Sequence, residues 1–351
     1  MIDPDIREFM NLVRESAGGI VRRGDLSRVR RLRFGEAGFC RETWREMCAM
    51  GWPAMRVPEA GNGSRQSILL YCALMEELGA GLVPEPLVPA ALAAVSLSGE
   101  AQARHLTGAM LVIPAWQDSR DALLPEHGLK IEDGRLDAVK LYVPNAAAAD
   151  AFLVMGTDGA AVVSADTPGV QITTMQMQDG GNVARVVFDR VPATPVPADP
   201  RSAFAEASLA TSAYLLGLGD AALAMTVEYL KTRVQFGSPI GSFQALQHMA
   251  VDLKLEAALT RASIEDAAVS WDTSPGSARA HAAISRAHVR ASNAAMTITN
   301  ACIQLHGGIG FTDEHDIGLY LRKAMVMANQ FGSAAGHAAN YASLRPLDRE
   351  S

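Results

Sequence analysis

The apolar positions of this chain change period twice. From the N-terminus to about residue 103 they recur at the three- and four-residue spacing of amphipathic helices, with breaks at Gly51 to Gly63 and Gly79 to Pro89. From about 104 to 197 they shorten to β-branched runs: Met110 to Ile113, Ala151 to Met155, Ala161 to Ser164, Gly169 to Thr174 and Ala184 to Phe188. Asp, Gly and Pro turns set these runs apart. Pro192 to Pro200, with four prolines, marks a hinge. Beyond it the helical period returns in Ala-, Leu- and Met-rich stretches at 203–232, 243–272, 275–304 and 314–345. Ser274 to Ser277 breaks the second from the third and offers Ser as an N-cap. The pattern predicts an α+β chain: an N-terminal helical domain (1–103), a middle β-barrel or β-sandwich domain (104–197) and a C-terminal four-helix bundle (198–351).

Composition narrows the function classes. About half of the 351 residues are apolar (49%), enough for sizeable cores, and the net charge of −7 is spread along the chain. No nucleic-acid surface is expected from that balance, and the Arg cluster at 22–33 reads as a solvated helix face. Cys40, Cys48, Cys72 and Cys302 show no metal-ligand spacing, so no metal is expected, and a cytoplasmic location is the default. Charge, Gly or Pro interrupts each long apolar run before the roughly 20 residues that a membrane span needs, so no membrane partner is expected either.

Two glycine-bearing segments stand out in the last third. In Arg233 to Gln244 (RVQFGSPIGSFQ) an Arg closes a helical run, Phe236-Gly237 and Pro239-Ile240-Gly241 turn the chain, and a new helix starts near Gln244. A guanidinium fork beside turn amides is what a pyrophosphate requires. In Gln304 to Gly310 (QLHGGIG) the Gly307-Gly308 pair lets a backbone approach a ligand with no Cβ in the way.

At these residues the chain resembles the acyl-CoA dehydrogenases, flavoenzymes that place a double bond between the α and β carbons of a coenzyme A thioester. The likeness extends to Met50-Gly51-Trp52-Pro53, Val57-Pro58-Glu59 and Gly61-Asn62-Gly63, then to Met75 to Gly79. It continues through Leu136 to Lys140 with Val143, Asn145, Ala149 and Asp150, and through Gly310 to Ala324. The resemblance implies FAD as cofactor, an acyl-CoA substrate, an electron-transfer flavoprotein as electron acceptor and a homo- or hetero-oligomer. It assigns Arg233, Phe236, Gln244, Gln304, Gly307 and Gly308 to the pyrophosphate and adenosine end of FAD, with the two segments on facing subunits.

Abstraction of a thioester α-proton coupled to hydride loss needs a carboxylate base, best placed in a dry pocket. Here the chain departs from the family. The commonest base position falls on Phe331, and a second falls on Ala207, next to Glu206. Glu206 is therefore the candidate catalytic base, one helical residue out of place. The loop that lies against the flavin ring in the family is replaced by Pro114 to Asp121, in which Trp116 and Ser119 are the candidate contacts. The resemblance supports FAD-dependent α,β-dehydrogenation of an acyl-CoA. The alternative is a half-site subunit of a heteromeric enzyme for steroid or other bulky acyl chains, with no base of its own.

Overall fold

The computed structural model describes residues 4–344 apart from 62 and 198, so Asn62 of the glycine turn, Ala198 of the proline stretch and residues 345–351 lie outside the described residues. The first helices are α1 (Pro4–Ser16), α2 (Ser27–Leu32), α3 (Arg41–Ala49), α4 (Ile68–Ala80), α5 (Leu87–Ser96) and α6 (Gly99–Leu106). Strands follow: β1 (Val112–Ala115), β2 (Lys130–Glu132), β3 (Arg135–Pro144), β4 (Ala151–Gly156), β5 (Gly159–Ser164), β6 (Val170–Gln176), β7 (Asn182–Pro192) and β8 (Thr194–Val196). The last third holds α7 (Pro200–Thr232), a hairpin of β9 (Val234–Gln235) and β10 (Ser238–Pro239), then α8 (Gln244–Thr273), α9 (Ala278–His306), α10 (Ile317–Met327) and α11 (Ala334–Leu344). The chain divides into two compact units, one made of 1–30, 72–83 and 208–351, the other of 31–71 and 84–207.

The second unit holds the β region. One sheet has the order β1-β4-β5-β8, with β1 and β4 parallel; the other, β2-β3-β7-β6, is antiparallel throughout. In β7 buried and less buried positions alternate along Asn182–Phe188, as expected of a strand with one wet face, whereas all of β4 is buried. Phe152 of the first sheet meets Phe188 of the second edge to face, ring centroids 5.7 Å apart, and fills the layer between them. Between Lys140 and Val143 the β3–β7 register shifts, and Tyr142 there has φ +51° and an exposed ring. A bulge of this kind re-aims a side chain out of the sheet.

The first unit is a helical bundle. Ser277 caps α9 by accepting from the Ala280 amide at 3.2 Å, at the break read from the sequence. The fourth helical stretch is two helices rather than one. Phe331 (φ +59°) and Gly332 (φ +115°) take left-handed conformations between α10 and α11, and an α-helix cannot continue through them. By length and composition α7 is long and apolar enough to cross a bilayer, which the interrupted apolar runs of the sequence did not suggest. Yet 72% of its most apolar stretch is buried in the structure, as in the central helix of a bundle.

Close backbone contact fixes α4 against α7. A Cβ on Gly79 would stand 2.0 Å from the Tyr214 carbonyl oxygen, and one on Gly217 would stand 1.8 Å from that of Glu76. Glu76 accepts from Arg14 (3.2 Å) and Arg261 (2.8 Å), and Arg261 also donates to Asp220 (2.9 Å). Burial alone would raise the Glu76 pKa, but the two guanidinium groups outweigh it and hold the carboxyl below its usual value. The Arg cluster at 22–33 is not simply a solvated face: Arg23 is bidentate to Glu77, and Arg30 pairs with Asp316 at 2.6 Å.

Candidate cofactor platform and base positions

The end of α7 and the start of α8 are joined by a two-residue hairpin turn. Phe236 (φ +54°) and Gly237 (φ +82°) both sit in the left-handed region, the requirement of a type I′ turn, and β9 and β10 pair Gln235 with Ser238 and Val234 with Pro239. Glycine meets that requirement at no cost. Phenylalanine does so under strain, and its ring is 93% exposed, so the turn spends backbone energy to hold an aromatic face in solvent. Arg233 and Gln244 flank the turn and are both exposed.

The second segment begins where α9 stops. His306 ends the helix, and Gly307 follows with φ 64° and ψ −143°, a combination open to glycine alone. Gly310 is glycine for packing, since its Cβ would meet the Ile303 carbonyl oxygen at 2.6 Å. Gly308 has neither reason: its φ is not left-handed and no atom lies within 4 Å of where its Cβ would stand. Its backbone is therefore open to close approach. Exposed Gln304 lies one turn back.

One chain brings the two segments together. Tyr229, four residues before Arg233, stacks on His306 with ring centroids 4.4 Å apart and an interplanar angle of 23°. The six residues expected at the FAD pyrophosphate and adenosine end thus belong to segments rooted on a shared aromatic contact. Tyr229 and His306 carried no signal in the sequence, because a stack between two helices is invisible to local pattern.

The base positions look different. Phe331 is 4% exposed, and its carbonyl oxygen accepts from His337 Nε2 (3.0 Å) and Ser208 Oγ (3.3 Å), while His288 Nε2 donates to the Gly332 carbonyl at 3.0 Å. This segment is built around a buried aromatic. Ala207 and Glu206 both line a cavity of about 20 Å³ with Arg56, Val88, Leu92 and Ala203, room for a water but not for an acyl chain. Glu206 faces this cavity alongside Ala207, although the two are neighbours on one helix. Arg56 donates to one of its carboxylate oxygens from Nε (2.9 Å) and to the other from Nη2 (2.5 Å), and also bonds the Gln66 carbonyl. A bidentate guanidinium occupies both basic oxygens.

Trp116 is buried and packs edge-on against Phe204 at 4.6 Å, and Ser119 is half-buried. Asp118 shapes the loop. It accepts from buried Lys140 Nζ (2.6 Å) and from the Glu126 (2.8 Å) and His127 (3.3 Å) amides. Desolvation pushes its pKa up, but the lysine charge and these donors prevail and hold it down.

Residues 8–105 match the acyl-CoA dehydrogenase N-terminal domain and residues 200–342 the acyl-CoA dehydrogenase C-terminal domain. The acyl-CoA dehydrogenase IpdE2 of Mycolicibacterium smegmatis is 31% identical over 93% of this chain and 95% of its own length. The solved structure of a Tcur3481-Tcur3483 steroid ACAD variant superposes with a TM-score of 0.84 at 26% identity, covering 97% of both chains. A glutaryl-CoA dehydrogenase from Mycobacterium smegmatis, solved in complex with FADH2, superposes at 0.82 with 17% identity over 97% of this chain and 94% of its own. The chain belongs to the acyl-CoA dehydrogenase family, with that family's α+β fold.

Proposed function

We propose that this chain is a subunit of a heteromeric FAD-dependent acyl-CoA dehydrogenase, in which it grips the pyrophosphate and adenosine end of FAD and a partner chain supplies the catalytic base. The observation that carries this reading is the state of the two base positions. Phe331 is a buried aromatic, Ala207 has no acid, and both oxygens of neighbouring Glu206 are held by Arg56. The adjoining cavity of about 20 Å³ has no space for a thioester's acyl chain.

Arg233 would meet the diphosphate with a bidentate fork, Phe236 would stack on an aromatic ring, and the open Gly307-Gly308 backbone would admit the ligand without a Cβ. When bound, FAD supplies the acceptor for the hydride that leaves the β carbon. The chain's own role is to bind and orient that end of the cofactor, while the α-proton is taken up by a carboxylate outside this chain. Electrons then pass to an electron-transfer flavoprotein. The Tcur3481-Tcur3483 steroid ACAD, named for two chains, supports an assembly of this type and a bulky, steroid-derived acyl group. Val251, Leu255 and Leu259, exposed one above another on α8, offer an apolar stripe for subunit contact.

The competing reading makes Glu206 the base. In the assembled enzyme Glu206→Gln is expected to slow anaerobic flavin bleaching by acyl-CoA by less than about tenfold, whereas loss of a general base costs about 10²–10⁴-fold. A hundredfold loss with flavin retained would return the base to this chain.

A further inference from the structure

We infer that Tyr229 and His306 are positioning residues whose ring stack sets the spacing between Arg233 and the Gly307-Gly308 backbone, so that a single chain presents both as one cradle to the FAD diphosphate. The inference rests on the assignment of those segments to FAD.

Each segment is tied to one of the two rings. Arg233 is held from the Tyr229 side, since its amide donates to the Tyr229 carbonyl at 2.8 Å and its carbonyl accepts from Ile240 at 2.8 Å. Gly307 is held from the other side, as the residue after His306. The rings stack at 4.4 Å, and the Tyr229 hydroxyl donates to the His306 carbonyl at 3.3 Å, the last carbonyl before the glycine turn. A change in the stack therefore moves both segments.

The chemistry of His306 fits a stacking part. It is 3% exposed, and its Nδ1–H donates to the Cys302 carbonyl at 2.7 Å, which fixes the neutral tautomer and leaves Nε2 as the acceptor. Nε2 has no hydrogen-bond partner among the described residues. An unpartnered buried acceptor is itself unfavourable, so the favourable contact that His306 makes with Tyr229 is through its ring face. His315 packs against the far part of the cluster, 4.6 Å from His306, and its own Nδ1 accepts from the Ile317 amide at 3.1 Å. With Asp316 anchored to Arg30, the cluster is braced from α2 and α10 as well as from α7 and α9.

The test is titration of FAD into the full-length chain in its assembled form after flavin removal, read by flavin fluorescence, with thermal melting followed in parallel. His306→Ala is expected to weaken FAD binding by about tenfold or more, and Tyr229→Phe, which removes only the bond to the His306 carbonyl, by about threefold. His306→Phe keeps an aromatic face and is expected to bind FAD within about threefold of the wild type. If His306→Ala melts lower but the folded protein binds FAD as the wild type does, the stack is structural only and the inference is wrong. Equal impairment of His306→Phe and His306→Ala would overturn it too, because the ring face would then not be what matters. If Arg233→Ala also leaves FAD binding untouched, it is the underlying cofactor assignment that fails.

Discussion

Gly308 is a residue at which the proposed cofactor role can be tested apart from the fold. Among the described residues nothing lies where its Cβ would stand, and its φ is not left-handed, so Gly308→Ala should leave the fold intact or stabilise it by about 0.4–1 kcal/mol by restricting the unfolded chain. The same methyl group would enter the ligand cradle, so FAD affinity should fall by about tenfold, or about 1.4 kcal/mol. A variant that melts as high as the wild type yet holds less flavin would confirm the pairing; undiminished flavin content would remove Gly308 from the site. Local sequence marks this residue, along with Arg233 and Phe236, as a candidate because a turn and its flanking fork lie within a few positions. It did not disclose Arg56, which holds Glu206 from 150 residues away, or the contact of Tyr229 with His306 across 77. Helical spacing gives the face a residue occupies and is silent on which distant side chain meets it.

At the scale of elements, Gly217 of α7 is small because the backbone of α4 packs directly against it. Gly217→Ala is expected to destabilise the protein by about 1–3 kcal/mol, since its Cβ would collide with a backbone carbonyl that has no rotamer to escape into. Thermal melting would measure it, and an unchanged midpoint would mean that α4 and α7 separate more readily than their contact implies. The α10–α11 break makes a second case. His288 and His337 pack with ring centroids 4.2 Å apart and donate to the Gly332 and Phe331 carbonyls within it. Burial drives both pKa values down, His337 to about 3, with the His288 charge adding to the shift. Both rings are therefore neutral in the folded state, while in the unfolded chain they titrate near the ordinary value of about 6.5. Below that pH the unfolded state binds more protons, so their contribution to stability is full above about 6.5 and declines as pH falls toward 3. Each histidine should remove up to about 1.4 kcal/mol per pH unit there. Melting temperatures that are flat from pH 8 to 7 and drop steadily from pH 6 to 4 are expected; no drop would mean that the pair accepts a proton in place. The sequence ran the helical pattern straight through this break, because Gln330 to Ser333 is too short an interruption for periodicity to register.

For the whole molecule, the order of helices, β region and helices was legible because the apolar period changes twice, and the family was legible because its glycine turns are spaced along most of the chain. The helix at 203–232 was legible too, but not the length of the apolar stretch within it: isolated charges and glycines interrupt that stretch in the sequence, whereas 72% of it is buried in the fold. The proposed function rests on two separate observations: exposed glycine-bearing segments fit to hold one end of FAD, and base positions filled by a buried phenylalanine, an alanine and an arginine-bound glutamate. The measurement that tests this most directly is the visible absorbance spectrum, without oxygen, of the chain purified alone and with a co-isolating family subunit, before and after a panel of acyl-CoA thioesters. The account predicts that a thioester bleaches flavin only in the assembly. Flavin bound to the chain alone and bleached by any of them would contradict it.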